Sequence, residues 1–581
     1  MLGLALAPAA AAEGRVVLVW VPRGTTVAQL ADAGLSPGVM SAGLGQVPAE
    51  QTYLDVGQGN RVFDSLYARP LPQLHGDRAR WWREVVERAG SAPAEIVPGL
   101  LDSTLKAAGA SRAFEVRRAA LDRLPPAASY DLLIAIARPT GRSDEPLPIG
   151  IAGAGFDGNL TSDSTRTDGY VLSTDVAPTI LERLGVQVPA AMSGQPIRSE
   201  GSVDPAAIEA RVARMDVISP RRGPVIGLTI AIWMAALALV ALLSRGRLAR
   251  QAVRVIGLAI VFLPLVLLLG AALEPGQGAE QLLVLLLCPL LAALTLLPFR
   301  GYRALAVASA LTVAAYAIDV IVGSPLTSLS LLGPNPGLGV RFYGIGNELE
   351  ALLAVLVVAG GGAALTGFGP ELPPRACAWA FVGIGLTAAF VFAAGRFGAD
   401  VGAAIVFPVG AVVAAVVIGG RGRRTALVAV LAAPLVVLAL LALIDLISGA
   451  NAHLTRSVLD AGGLGSLAEV AQRRLQLSAH SFGRPVLLAL LPLVAAAAVL
   501  AYVRRDRLRA WLDGVPAMRA GLLGALAATV IGTLANDSGA LLLEIGAAYL
   551  LVFICFSWAE SGAKSGNSDQ QTKRHTSVTQ I

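Results

Sequence analysis

The chain has 581 residues, of which 55% are hydrophobic and 15% charged, and its mean hydropathy is +0.65. That is too apolar for an ordinary water-soluble chain of this length, so a bilayer is the expected solvent. The net charge of +6 does not point to nucleic acid, because the arginines gather beside apolar stretches, the pattern that membrane topology imposes.

The opening MLGLALAPAAAAEG reads as the apolar core of a secretory signal (1–12) ending in small residues, with no basic stretch ahead of it. Residues 13–200 then carry ordinary charge density and no run of span length, which predicts a separate water-soluble domain. Within it RVVLVWV (15–21), DLLIAIA (131–137) and PIGIAG (148–153) read as buried strands, alternating with amphipathic segments such as ARWWREVVERAG (79–90). An α/β sandwich is the expected result. STDVAPTILERLG (173–185) reads as a helix with Thr174 as N-cap and Gly185 as its stop. Residues 201–222 read as a linker ending just inside PRRG.

From residue 223 to 559 about eleven apolar stretches of membrane-spanning length predict an all-α polytopic membrane domain. The expected spans lie near 224–243, 255–273, 279–298, 304–323, 347–366, 378–394, 401–420, 425–447, 485–503, 518–535 and 539–558. The basic runs at 244–254, 300–303, 421–425 and 504–511 come after alternate span ends, so one side collects the arginines. If that side is cytoplasmic, residues 13–220 are extracytoplasmic, as a secretory signal independently requires. The polar tail 560–581 is then cytoplasmic and disordered. The cysteines Cys288, Cys377 and Cys555 show neither ligand nor disulfide spacing and read as packing residues.

Three polar motifs fall at span ends on the expected outer face: RFYGIGNELE (341–350), GRFGAD (395–400) and NDSG (536–539). Backbone irregularity and charge at that depth require protein or water around them, which implies a lined cavity. Arg341, Tyr343, Asn347 and Arg396 supply donors for an anionic group. Glu348, Asp400 and Asp537 supply carboxylates for acid/base or metal-ligand chemistry. Glu348 and Glu350 are expected on different faces of their helix. The plainer reading makes Asn347, Asp400 and Asp537 helix caps and lets Glu348 and Glu350 favour a helix dipole. GRFGADVGAA and ANDSGALLLE echo one another as an internal repeat. Asn536 accompanies Asp537, and Glu544 lies deeper in its span, where a carboxylate is protonated, paired or functional. Asp319 and Asp445 sit near outer span ends, within reach of water. The loop 449–484 carries the amphipathic LAEVAQRRLQL with Arg473 and Arg474 facing headgroups, and also His453, Arg456 and His480.

At STDVAPTILERLGVQVPAAMSGQPI (173–197) the sequence resembles the C-terminal part of the alkaline-phosphatase superfamily, in which a Thr-Asp-hydrophobic-Ala-Pro-Thr helix precedes a glycine stop and a Met-x-Gly-x-Pro segment. Catalytic members place an aspartate after the first strand, a Ser or Thr nucleophile, and several His and Asp ligands for two metals. Here VPRGTT (21–26) comes after the first strand without an aspartate, and the domain holds one histidine, His75. The resemblance therefore implies a phosphatase-like module that binds or scaffolds without the usual dinuclear site, with Thr25 and Thr26 as the outside candidates for a nucleophile. The whole layout, with RFYGIGNE, GRFGAD and NDSG on its spans, resembles a group of membrane proteins of Gram-positive bacteria, especially actinobacteria.

Together these features predict a cell-envelope protein with an outward-facing polar cavity for a lipid-linked or phosphorylated substrate. Its expected partners are membrane lipids, a lipid-linked glycan or other phosphate-bearing envelope substrate, and envelope-assembly proteins, with no nucleic acid. No metal ligand is assigned, and any cofactor is unknown from the sequence. Two other classes stay open, a proton- or ion-coupled secondary transporter using Asp400, Asp537 and Glu544, and a non-catalytic envelope scaffold.

Overall fold

The computed structural model describes residues 14–578 apart from 74–75, 127–128, 245, 448–474, 477, 480, 484–487 and 489. The chain divides into two compact units, one of residues 1–219 with 335–342, the other of 220–334 with 343–581. The short segment 335–342 thus belongs to the first unit although it lies between two membrane helices in sequence.

The first unit is built on a mixed six-stranded sheet of β1 (Val16–Val21), β2 (Ser36–Ser41), β3 (Phe114–Arg118), β4 (Leu132–Ala137), β5 (Leu147–Gly153) and β6 (Tyr170–Leu172). Across the sheet their order is β3-β1-β4-β5-β2-β6. The three apolar runs recognised in the sequence are β1, β4 and β5. β1 pairs in parallel with both β3 and β4, while β5 runs antiparallel to β4 and β2. Alternation explains why both faces are apolar. Val16, Leu18 and Trp20 pack to one side with Leu132, Ile134 and Ile136, whereas Val17, Val19 and Val21 pack to the other with Leu133, Ala135 and Ala137. A strand buried on both faces needs no polar positions, hence the continuous hydrophobic runs.

The helix start expected at Thr174 lies differently. A 3-10 turn, Ser173–Asp175, precedes the helix Val176–Arg183, and the N-cap position falls on Asp175. Thr174 is buried, against Gly194, where an added Cβ would lie 2.0 Å from the Thr174 carbonyl oxygen. The stretch expected as a linker carries a helix, Pro205–Asp216, capped by Asp204 and burying Ile208 and Met215.

In the second unit, among the described residues, eight helices are long and apolar enough to cross a membrane. They are the run ending at Leu243 together with Arg247–Leu273, Gln277–Leu296, Tyr302–Ile321, Asn347–Phe368, Pro374–Ala393, Pro516–Ala535 and Gly539–Ser561. The remaining expected positions hold shorter apolar helices at Ala403–Ile418, Leu427–Leu441 and Leu491–Val503. The polar segment from Glu560, expected as a disordered tail, continues its helix to Val578.

Small residues bring the central helices together. A Cβ on Gly524 would lie 2.3 Å from the Gly410 carbonyl oxygen, and one on Gly362 would lie 2.7 Å from that of Ala517. Where lipid removes the hydrophobic drive between helices, such close approach is what holds them. Pro264 shows how backbone polarity is settled at this depth. Lacking an N–H, it frees the carbonyl of Ile260 four residues earlier, and the Tyr549 hydroxyl donates to that oxygen at 3.2 Å.

The helical unit has two chemically distinct ends. At one, Arg254 pairs with Glu560 and donates to the Ala559 carbonyl, Arg250 lies over the Trp558 ring, and Arg303 donates to the Gly367 carbonyl. At the other, the three polar motifs meet.

Candidate functional site

The site starts from the turn Gly344–Gly346 that leads into the helix Asn347–Phe368. Gly344 has φ +74, and a Cβ there would lie 2.0 Å from the Gly398 carbonyl oxygen, so only glycine allows the turn to close on the GRFGAD segment. The Gly344 amide donates to Ser324 Oγ at 2.9 Å, and the Ile345 amide to the Gly398 carbonyl at 3.0 Å. The chain is therefore fixed before the helix begins.

Asn347 and Glu350, one turn apart, share a helix face and meet the NDSG turn. Asn536 Nδ2 donates to Asn347 Oδ1 at 3.1 Å and to Glu350 Oε2 at 2.7 Å. Asn347 Nδ2 in turn donates to Asp537 Oδ1 at 3.2 Å, while Asn536 Oδ1 accepts from the Ser538 amide. Glu350 is wholly buried, and its carboxylate lies against Gly402, where a Cβ would approach it to 2.5 Å. Three chain turns distant in sequence thus converge on one carboxylate.

Glu348 points elsewhere, as the spacing implied. It is half-buried and pairs with Arg222 at 3.2 Å, while the other terminal nitrogen of that guanidinium donates to the Gly333 carbonyl at 2.7 Å. Arg221 pairs likewise with Glu280 at 3.2 Å. The two arginines of PRRG therefore neutralise buried or half-buried carboxylates of the helical unit. Their position directly before a span, together with the isolated Glu280 of an apolar segment, is the signal that reveals them.

The other expected site residues differ in burial and in partners. Asp400 is buried and accepts from the amides of Gly402 and Ala403 at 2.8 and 3.4 Å, just ahead of the helix Ala403–Ile418, where a helix leaves its first amides without backbone partners. Asp537 is exposed, so in the second half of the apparent repeat the buried polar group is Asn536 instead of the aspartate. Arg396 is exposed, with its guanidinium over the Phe397 ring. Tyr343 is half-buried, and Arg341 belongs to the segment 335–342 of the first unit. Glu544 is 7% exposed, and its Oε1 has no hydrogen-bond partner among the described residues. Asp319, expected to reach water, is buried and accepts from the amides of Leu326 and Thr327. Of Asp445 only the helical backbone is described, and His75, His453, Arg456, Arg473, Arg474 and His480 lie outside the described residues. Two serines beyond the amphipathic stretch do reach the site: Ser478 donates to the Thr533 carbonyl at 2.6 Å, and Ser481 accepts from the Ala540 amide at 3.0 Å.

The first unit has its own buried polar centre. Asp175 accepts from Ser162, Ser164 and the amides of Leu172 and Gln195. Four donors on one carboxylate make it a structural tie of the motif that carries it. Asp55 is buried with both Gln51 and Gln58 donating to Oδ1, and burial pushes its carboxyl up to about 7. Arg61 stands near both acids; burial draws its guanidinium down while Asp55 and Asp175 oppose that. Among the described residues no group of three His, Cys, Asp or Glu side chains is arranged to hold a metal ion.

Fold and site define a multi-pass integral membrane protein with an N-terminal α/β domain and a buried acid–amide cluster at one end of its helices. No family model, curated protein or solved structure matches the chain.

Proposed function

We propose that this is a bacterial cell-envelope protein whose polar cluster at 344–350, 398–402 and 535–538 handles a lipid-linked or phosphorylated substrate from the extracytoplasmic side. The observation that carries this reading is the double donation of Asn536 to Asn347 and to the wholly buried Glu350, because an ionisable group in a membrane helix is costly to bury and marks a functional site by default. Carboxylates and amides side by side match the hydroxyls of a polyol or glycan, each of which both donates and accepts. The exposed Arg396 supplies a cation for a phosphate. The gathering of arginines at the opposite end supports a cytoplasmic location for that end. On this reading the N-terminal domain, phosphatase-like by its 173–197 motif, binds or scaffolds without catalysing. Complementation of a deletion strain tests it: Glu350→Gln, Asp400→Ala and Asn536→Ala should each fail to restore a normal envelope while reaching wild-type protein levels. Full complementation by all three would sink the proposal.

A second reading, a proton-coupled transporter, is favoured by one observation, the buried Glu544 Oε1 with no partner among the described residues. Proton movement in vesicles bearing the protein, abolished by Glu544→Gln while Asn536→Ala leaves it intact, would support that version over the first.

A further inference from the structure

The loop after the helix Tyr302–Ile321 is tied to one residue of that helix. The Asp319 carbonyl accepts from the Ser324 amide at 2.8 Å, and its carboxylate accepts from the amides of Leu326 at 3.1 Å and Thr327 at 2.7 Å. Pro325 has no N–H to place, so every amide of 324–327 ends on Asp319. Both ends of this tie are enclosed, Asp319 at 5% exposure and Ser324 at 1%.

Ser324 is held there in a backbone conformation that serine seldom takes. Its φ is +66, in the left-handed region where glycine is at ease and a Cβ is crowded. A residue kept against such strain points to a use for its side chain. Its Oγ accepts from the Gly344 amide at 2.9 Å, and the next amide, that of Ile345, donates to the Gly398 carbonyl at 3.0 Å. Two successive amides of the turn are thus aimed at two acceptors of the same helical unit, directly ahead of the helix that carries Asn347 and Glu350. Glycine at position 324 would relieve the backbone and lose the acceptor.

We infer that Ser324 is a positioning residue for the polar cluster: anchored by Asp319, its hydroxyl fixes the turn from which Asn347 and Glu350 meet Asn536. Its importance for substrate rests on the function proposed above, whereas the mechanical claim does not.

Hydrogen exchange of the full-length protein, read by mass spectrometry, tests the inference with Ser324→Ala and Ser324→Gly. Both should exchange about five- to tenfold faster across 343–347, with the helices Tyr302–Ile321 and Ala403–Ile418 as protected as in the wild type. Ser324→Gly should nevertheless unfold at a higher temperature than Ser324→Ala, because it also sheds the left-handed strain. Protection of the turn would then follow the hydroxyl and not overall stability. Wild-type exchange across 343–347 in either variant would overturn the inference. Asp319→Asn, left with one acceptor oxygen for two loop amides, should loosen 324–327 and 343–347 together; loosening of 324–327 alone would remove Asp319 as the anchor. A native mass spectrum in which loosened Ser324→Gly keeps all of the wild-type ligand would overturn the role in the site. Faster exchange of the turn beside a wild-type protein that retains no ligand would count against the proposed function and not against Ser324.

Discussion

Asn536 donates to Glu350 across 2.7 Å although 186 residues separate them, and that bond joins the NDSG turn to the helix entered from RFYGIGN. Removing Asn536 takes one hydrogen bond from a wholly buried carboxylate. A hydrogen bond to a charged group is worth about 1.5–3 kcal/mol. Asn536→Ala should therefore lower the thermal midpoint of the detergent-solubilised protein by several degrees. The double variant Asn536→Ala/Glu350→Gln should lose less than the two single variants added together, because both remove the same hydrogen bond.

The Arg222–Glu348 pair makes a weaker but more specific prediction. Both side chains are about a quarter exposed, so solvent screening holds the pair to about 1 kcal/mol. Arg222→Gln should cost more than Glu348→Gln, since it also removes the bond to the Gly333 carbonyl. Thermal unfolding of the two variants side by side checks the order.

Helix packing through glycine predicts a sharp size limit. Gly524→Val places a branched side chain where even a Cβ lies 2.3 Å from the Gly410 carbonyl oxygen, forcing apart the helices Ala403–Ile418 and Pro516–Ala535. Overpacking of this kind costs about 1–3 kcal/mol or more. Size-exclusion profiles should show Gly524→Val aggregated and Gly383→Val, where nothing lies within 4 Å of the added Cβ, monodisperse.

Much of the fold was legible because burial on both faces writes itself into composition. β1, β4 and β5 stand out as unbroken apolar runs, and the membrane helices as long apolar stretches with few charges. The candidate site was legible only as motifs. Nothing in the spacing shows that Glu350 is enclosed while Glu348 meets Arg222, since which face of a helix is covered depends on partners distant in sequence. The same is true of Asn536 and Asp537, neighbours that both bond Asn347 yet differ in burial, with Asn536 alone also reaching Glu350.

Asp55 predicts a pH dependence. Its folded carboxyl titrates at about 7 against an ordinary 3.8, with burial as the cause. The folded domain therefore holds a proton that the unfolded chain has lost between these values, and stability falls as pH rises from about 4 to 7, by on the order of 4 kcal/mol. The carboxyl of Asp175 is raised in the same direction. Asp55→Asn keeps an oxygen for Gln51 and Gln58 and should flatten this slope. Thermal unfolding of full-length protein at pH 5 and pH 8 should show the wild type losing more stability than the variant at the higher pH.

The most direct test of the account is native mass spectrometry of the protein purified gently from its own membranes, repeated with Asn536→Ala and Glu350→Gln. The account predicts a phospholipid-linked or phosphorylated envelope ligand retained by the wild type and lost from both folded variants. The same ligand held equally by all three proteins, or no ligand on the wild type, would contradict the assignment of this cluster as the substrate site.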